Sequence, residues 1–281
     1  MKNNKAYFEG RENTKLFYQS WIPDSGEFKA SLIALHDWGS HSDRVKFLAK
    51  FFTEKQYAVY SFDFRGHWRN KGENPGHIES VDHVQKDILL FMDLVKEEGK
   101  DKKVFLMGHS FGGLMSLIYA IEHPGLPGTI ASCPLLKFSP NLSFGKKVNK
   151  LIAKSFSKVS PTKTIKFTFD QNQLTSDLKI LREYIADKNK LEVMSLKTAA
   201  EISNAMKYAI ENPDNLLCPV FIQQAGNDKI VDINAVRQFH ESIKSKDKRF
   251  KLYDGFLHDL WTEKGRALVF QDIFVWLEKH L

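Results

Sequence analysis

The chain has 281 residues, 42% of them hydrophobic and 27% charged. Those are ordinary proportions for a globular protein, with room for one large domain or for one domain carrying an insert. No run approaches the ~20 apolar residues of a membrane span, and the polar stretch Met1–Ser20 lacks the apolar core of a secretory signal, so the expected location is the cytoplasm.

The net charge is +7, and its placement is uneven. Residues 137–213 hold 14 Lys and Arg against 7 Asp and Glu, while the remainder of the chain is balanced.

Ser31–Leu35 is a short apolar run ending in His36-Asp37-Trp38-Gly39, which predicts a buried strand meeting a functional loop. Val45–Thr53 has helical spacing. Tyr57–Phe62 predicts a second strand and runs into Asp63-Phe64-Arg65-Gly66-His67. Val81–Glu98 is a long amphipathic helix with apolar residues at 81, 84, 88, 91, 92 and 95. Lys103–Met107 is a third strand, followed by Gly108-His109-Ser110-Phe111-Gly112-Gly113 and a buried helix over Leu114–Ile121. That helix stops at His123-Pro124.

Thr129–Cys133, Pro219–Gln224 and Phe250–Tyr253 are further strands, and Ala267–Leu281 is a closing amphipathic helix. Strands alternating with helices predict an α/β fold with a doubly wound, mostly parallel sheet. Residues 137–213 break the rhythm and read as helices and loops. The expected organisation is a core from 1–136 and 214–281 with an inserted cap at 137–213. Cys133 and Cys218 each precede a proline and show no metal or disulfide spacing, so both are expected to be buried thiols at strand ends.

The polar motifs sit just after strands, where open parallel sheets place their sites. Gly108-His109-Ser110-Phe111-Gly112 has the form G-x-S-x-G between a strand and a helix. Small residues two before and two after the serine let strand and helix approach, and the sharp turn lifts the hydroxyl clear of the sheet. It also aims the Phe111 N–H at a developing oxyanion. Such a serine needs a base, and the chain order on this fold is nucleophile, acid, histidine.

After Ser110 come His123, His240, His258 and His280. The first ends a helix, the second lies on a polar helix, and the last is next to the C-terminus; only His258 follows a late strand on a loop. The acid is expected at a strand end, which selects Asp228, with Asp232 as the second candidate. Asp254 and Asp259 flank the histidine too closely to orient it. The second oxyanion donor is assigned to the Trp38 N–H, in the loop after the first strand, with His36 expected to be packed inside.

There is no H-E-x-x-H, and His36/His41 and His67/His77/His83 lack zinc spacing. The serine turn also lacks the Gly-Lys-Ser/Thr ending of a phosphate loop. No catalytic metal is expected.

With these motifs in place, the chain resembles the monoacylglycerol lipase and lysophospholipase group of α/β-hydrolases, related to serine-aminopeptidase-type esterases. Phe17–Pro23 is similar to the family's first hairpin, Asp63–His67 to its D-x-R-G-H loop, and Gly108–Gly113 to its G-H-S-x-G-G turn. Leu174-Thr175-Ser176-Asp177 falls where its cap has a similar stretch. Gly226–Val231 and Tyr253–Leu260 resemble its acid and histidine loops, with Asp259 where Glu is usual. Asp37 replaces the first Gly of the usual His-Gly-x-Gly, and Trp68 and Asn70 replace the Gly and Ser that usually follow R-G-H. Trp38 and Trp68 are therefore expected to reshape the entrance.

The resemblance implies an inserted helical cap and a cofactor-free esterase that cleaves single-chain lipid esters, monoacylglycerol or lysophospholipid, through an acyl-enzyme. A short-chain esterase, a thioesterase or an acyltransferase would use the same residues. A non-catalytic α/β-hydrolase that binds a ligand or a membrane is the alternative from another class.

No nucleic-acid partner is expected. From Lys137 to Lys166 there are eight lysines and no acid. Val148, Leu151, Ile152, Phe156 and Val159 interleave with Lys147, Lys150, Lys154 and Lys158 at helical spacing. This basic amphipathic pattern predicts peripheral contact with anionic membranes, or else a lid helix whose apolar face covers the pocket while its lysines are solvated.

Overall fold

The computed structural model describes residues 1–100, 102–140, 142 and 160–281. Among the described residues, eight strands form one sheet: β1 (Lys2–Glu9), β2 (Lys15–Ile22), β3 (Ala30–Leu35), β4 (Tyr57–Phe62), β5 (Val104–His109), β6 (Thr129–Ser132), β9 (Val220–Ala225) and β10 (Lys248–Tyr253). Their order is β1-β2-β4-β3-β5-β6-β9-β10. β1 and β2 form an antiparallel hairpin, and β2 pairs antiparallel with β4. Every pairing from β4 through β3, β5, β6 and β9 to β10 is parallel.

Side-chain alternation divides the core in two. In β3, Ile33 and Leu35 join the cluster beneath helices α2 (Val81–Glu98) and α3 (Phe111–Glu122). Leu32 and Ala34 face the opposite cluster, formed with α1 (Lys46–Glu54) and α7 (Arg266–Glu278) through Leu48, Phe52, Phe270 and Trp276. Both faces are covered, which is why the strand has no polar alternation in the sequence. Ser80 caps α2, its hydroxyl accepting the His83 N–H at 3.2 Å.

The predicted strands and helices are present with small shifts at their ends. α3 begins at Phe111 rather than at Leu114, because the serine turn leads straight into the helix. The expectation of helices and loops alone over 137–213 is corrected. β7 (Thr164–Lys166) and β8 (Val193–Ser195) form a separate antiparallel pair, beside α4 (Leu178–Ala186) and α5 (Leu196–Glu211). Strands of only three residues leave no periodic signature.

Phe167, Leu174, Met194 and Ile202 of this region share the α2/α3 core. α6 (Ile233–Ser242) follows β9. The basic stretch containing Lys147–Val159 lies outside the described residues. Among the described residues, no helix is long and apolar enough to cross a membrane.

The chain steps outward in one direction from β3 to β4 and in the other from β5 to β6. The loops leaving β3 and β5 therefore flank the point where the winding reverses, and a crevice opens there in sheets of this kind.

Candidate active site

Ser110 stands between the end of β5 and the start of α3 with φ 53° and ψ −111°, a backbone region that non-glycine residues rarely occupy. Its N–H donates to Ser132 O at 2.8 Å, and its carbonyl accepts from Leu114 N at 2.9 Å and Leu135 N at 3.0 Å. These three bonds hold the strained residue from both neighbouring elements. A Cβ on Gly108 would overlap the Gly112 carbonyl, and one on Gly112 would overlap the carbonyls of Leu35 and His36. The two glycines thus allow the close strand–helix approach that their spacing predicts.

His258 and Asp228 come together from the loops after β10 and β9. His258 Nδ1 lies 2.8 Å from Asp228 Oδ2, and both side chains are buried. The second carboxylate oxygen, Oδ1, accepts from Ile230 N at 2.9 Å and Val231 N at 3.0 Å, while Gln224 Nε2 donates to Oδ2 at 3.0 Å. Burial disfavours the Asp228 charge, but the His258 partner and the two backbone donors outweigh it and lower its pKa. Burial also disfavours a charged His258. The Asp228 charge and hydrogen bond overcome that, helped by Asp37 and Asp259, and raise its pKa.

Asp232 is elsewhere, capping α6 through Asn234 N and Ala235 N. Among the described residues no hydrogen bond joins the Ser110 hydroxyl to His258. In ligand-free sites that contact often tightens only with substrate.

The loop after β3 is anchored by His36, whose Nδ1–H donates to Asp37 O at 2.8 Å and whose Nε2 accepts from Phe64 N at 3.0 Å. Burial pushes the His36 pKa down to about 3, so the ring is neutral, as expected for a packed histidine. The left-handed residue of the turn is Gly39, at φ 80°, and Asp37 has no positive φ. The Asp-for-Gly exchange therefore does not strain the loop.

The Trp38 ring is buried between His67 (4.5 Å) and Phe111 (5.5 Å). Trp68 packs instead on His41, 4.4 Å away, beneath Arg69. As the first residue of α3, Phe111 has no intrahelical acceptor for its N–H. The Trp38 N–H makes no hydrogen bond among the described residues.

The sequence reading named the D-x-R-G-H loop but not the contacts that make it and Glu263 supports of the site. Asp63 Oδ1 accepts Ser42 N at 2.8 Å and so ties the loop after β4 to the loop after β3. Arg65 bonds buried Asp87 of α2 at 2.7 Å, which makes the D-x-R-G-H loop a structural clamp. Buried Glu263 accepts from Leu257 N (2.8 Å), Ser176 N (3.1 Å), Lys264 N (3.0 Å) and the Ser176 hydroxyl.

Beside it, His258 N donates to Gln173 O (3.3 Å) and Asp259 N to Leu174 O (2.8 Å), so residues 173–177 clasp the His258 loop. The Leu174–Asp177 stretch was the only sequence signal of this clasp. A cavity of about 470 Å³ between residues 136–140, Leu142 and α5 includes Phe138 and Met206 in its lining but none of Ser110, Asp228 or His258.

Among the described residues, one set of side chains is close enough to hold a metal ion: Cys133, Asp228 and His258. The last two are already bonded to each other, and burial pushes the Cys133 thiol pKa well up, away from the thiolate a metal would need.

The family model for serine aminopeptidase, S33, matches residues 26–265. An abhydrolase domain-containing protein of Dictyostelium discoideum is 28% identical over 95% of this chain, which spans 28% of that relative's length. Human monoglyceride lipase is 28% identical over 94% of this chain and 87% of its own. A solved structure of a soluble variant of monoglyceride lipase from Saccharomyces cerevisiae, in complex with a substrate analogue, superposes with a TM-score of 0.88 at 25% identity. That match covers 98% of this chain and 94% of the other. The fold, the order of its motifs and the extent of these matches lead to one assignment: the chain belongs to the serine aminopeptidase S33 family of α/β-hydrolases.

Proposed function

We propose that the protein hydrolyses the carboxylic ester of monoacylglycerols, with Ser110 as nucleophile, His258 as base and Asp228 as the acid that orients it. The observation that carries this reading is the strained Ser110 turn beside a His258 ring held by Asp228 at 2.8 Å. The monoglyceride lipases of human and yeast among its relatives support the substrate class.

In this mechanism the Ser110 oxygen attacks the ester carbonyl while its proton passes to His258 Nε2. The carbonyl electrons move onto oxygen, which the Trp38 and Phe111 N–H groups stabilise, at typically ~3 kcal/mol per donor. Collapse expels the glycerol oxygen, which takes the proton from His258 and leaves an acyl-Ser110. Water then gives a proton to His258 and attacks the acyl carbon, and as the fatty acid leaves, His258 returns that proton to the expelled Ser110 oxygen. Asp228 keeps the imidazole in the tautomer whose Nε2 accepts and stabilises the imidazolium without taking its proton.

In the same reading, residues 137–213 form a lid over the site, and the protein works in the cytoplasm against lipid surfaces. The interleaved lysines and apolar residues of 147–159 would supply the contact with anionic headgroups.

The test is a hydrolysis panel of monoacylglycerols, lysophospholipids, short-chain esters and thioesters, with wild-type protein and Ser110→Ala. Cleavage of monoacylglycerol that disappears in the variant supports the proposal. A protein that cleaves none of the panel overturns it, and faster turnover of lysophospholipid or thioester overturns the substrate class.

A further inference from the structure

One face of β9 carries a polar side chain where its neighbours are apolar. Strand alternation puts Val220, Ile222 and Gln224 on the same face. Val220 and Ile222 belong to the α2/α3 core, and Gln224 is as fully buried as they are. A buried amide costs stability unless it is bonded, and Gln224 Oε1 has no hydrogen-bond partner among the described residues. Its Nε2 is the group in use: it donates to Asp228 Oδ2 at 3.0 Å and to Ala225 O at 3.4 Å. The reverse amide orientation would set Oε1 against the same carboxylate oxygen.

Asp228 Oδ2 is also the oxygen that faces His258 Nδ1, at 2.8 Å. Oδ1 is held by Ile230 N and Val231 N, so the carboxylate cannot turn to give each donor its own oxygen. Two donors on one oxygen bring their positive ends together. The Gln224 amide therefore opposes the charge that His258 acquires when it takes a proton. Other groups face His258 as well. Asp37, from the loop after β3, and Asp259, from its own loop, favour the charged ring. His109 of β5 packs 4.8 Å away, its pKa pushed down to about 4 by burial. The Cys133 thiol, after β6, lies within 4.8 Å, and burial keeps it protonated. Residues 173 and 174 meet the His258 loop through backbone carbonyls.

We propose that Gln224 is a positioning residue for the base: by sharing Asp228 Oδ2 with His258 it weakens the hold of the acid on the imidazolium, so that His258 gives up its proton at lower pH than Asp228 alone would allow. The catalytic consequence rests on the hydrolase reading above; the shared oxygen does not. Gln223 is the internal comparison. It too is buried with an unpartnered Oε1, but it points to the opposite face, where Nε2 donates to the Tyr253 hydroxyl at 2.6 Å and to Val269 O at 3.2 Å.

The test is the titration midpoint of His258, read by nitrogen NMR of the ring in full-length wild type, Gln224→Met and Gln223→Met. Methionine keeps the length of the side chain and removes the amide. The midpoint should rise by about half a pH unit in Gln224→Met and stay in place in Gln223→Met. An unmoved or lowered midpoint in Gln224→Met overturns the proposal, as does an equal rise in Gln223→Met, which would mark a general loosening of β9. Neither reading depends on ester cleavage. In the wild type, a Gln224 side-chain amide proton should exchange with solvent far more slowly than those of exposed glutamines. Exchange at the exposed rate overturns the shared oxygen even if Gln224→Met does not fold.

With an ester substrate, the acid limb of kcat/KM, which reports the free base, should move with the midpoint. On the acid side of the limb Gln224→Met should be about threefold slower than wild type, while the plateau at higher pH changes less. A limb that stays in place while the plateau falls leaves Gln224 merely structural and overturns the proposal. A raised midpoint in a protein that cleaves no ester keeps the shared oxygen and rejects the hydrolase reading.

Discussion

The Trp38 indole meets the Phe111 ring edge-on, at 5.5 Å between centroids and 89° between planes. The two residues carry the proposed oxyanion donors on their backbones, so the side-chain contact fixes one donor relative to the other. Trp38→Ala should remove that brace and leave a cavity, costing about 3–5 kcal/mol of stability. It should also lower kcat more than it changes KM, because the donors act on charge present only in the transition state. Trp38→Phe should keep most of both properties. Thermal melts and ester kinetics on the two variants check this.

The two candidate acids separate cleanly. Asp228 is bonded to His258, while Asp232 caps α6. Asp228→Asn should reduce kcat by about 10,000-fold, because an amide stabilises the wrong imidazole tautomer. Asp232→Ala should cost about 1 kcal/mol of stability, the usual loss of an N-cap, with turnover nearly unchanged. Near-wild-type turnover in Asp228→Asn would rule it out as the orienting acid.

The pH dependence has a definite sign. Burial works against a charged His258, but the Asp228 charge and hydrogen bond prevail and raise its pKa. A base acts only when neutral, so kcat/KM should fall as pH drops through a value above the ordinary ~6.5. For stability, the raised His258 contributes fully below its unfolded value and loses that contribution as pH rises through its folded one. Asp228 is depressed, so its contribution is present above its unfolded value and is lost as pH falls through the folded one. Melting temperature and rate measured across the same pH series should show an activity limb above the ordinary ~6.5 of a free histidine and a loss of stability at strongly acid pH.

Glu263 is a buried carboxylate whose hydrogen bonds come from N–H and hydroxyl donors of residues 176, 257 and 264. Removing it leaves those donors unsatisfied, at about 1–3 kcal/mol for each buried group. Glu263→Ala should therefore destabilise the protein and misplace the His258 loop, lowering kcat. Glu263→Gln, which keeps an acceptor for Leu257 N and Ser176 N, should recover part of both. Equal kcat in wild type and Glu263→Ala would show that the loop holds itself.

Residues whose role depends on local chain geometry were legible in the sequence. Gly108 and Gly112 mark the serine turn because a side chain at either would collide with backbone. Asp228 and His258 stand out because each follows a strand, β9 and β10. Contacts between distant segments left no such mark. Glu263 looks like any charged loop residue until Ser176 folds onto it, 87 positions away. Asp37 and Asp259 each appeared as a single departure from the family pattern, and only the parallel sheet brings both to one cavity. β7 and β8 were missed because three residues form no pattern on their own.

The central claim is that Ser110 is the nucleophile, and covalent trapping tests it most directly. Wild-type protein and Ser110→Ala would each be incubated with a long-chain alkyl phosphonate, and peptide masses would then locate the adduct. The account predicts one adduct on the peptide carrying Ser110 in the wild type and none in Ser110→Ala, with both proteins melting as folded molecules. Labelling of Ser110→Ala at the wild-type rate would contradict it.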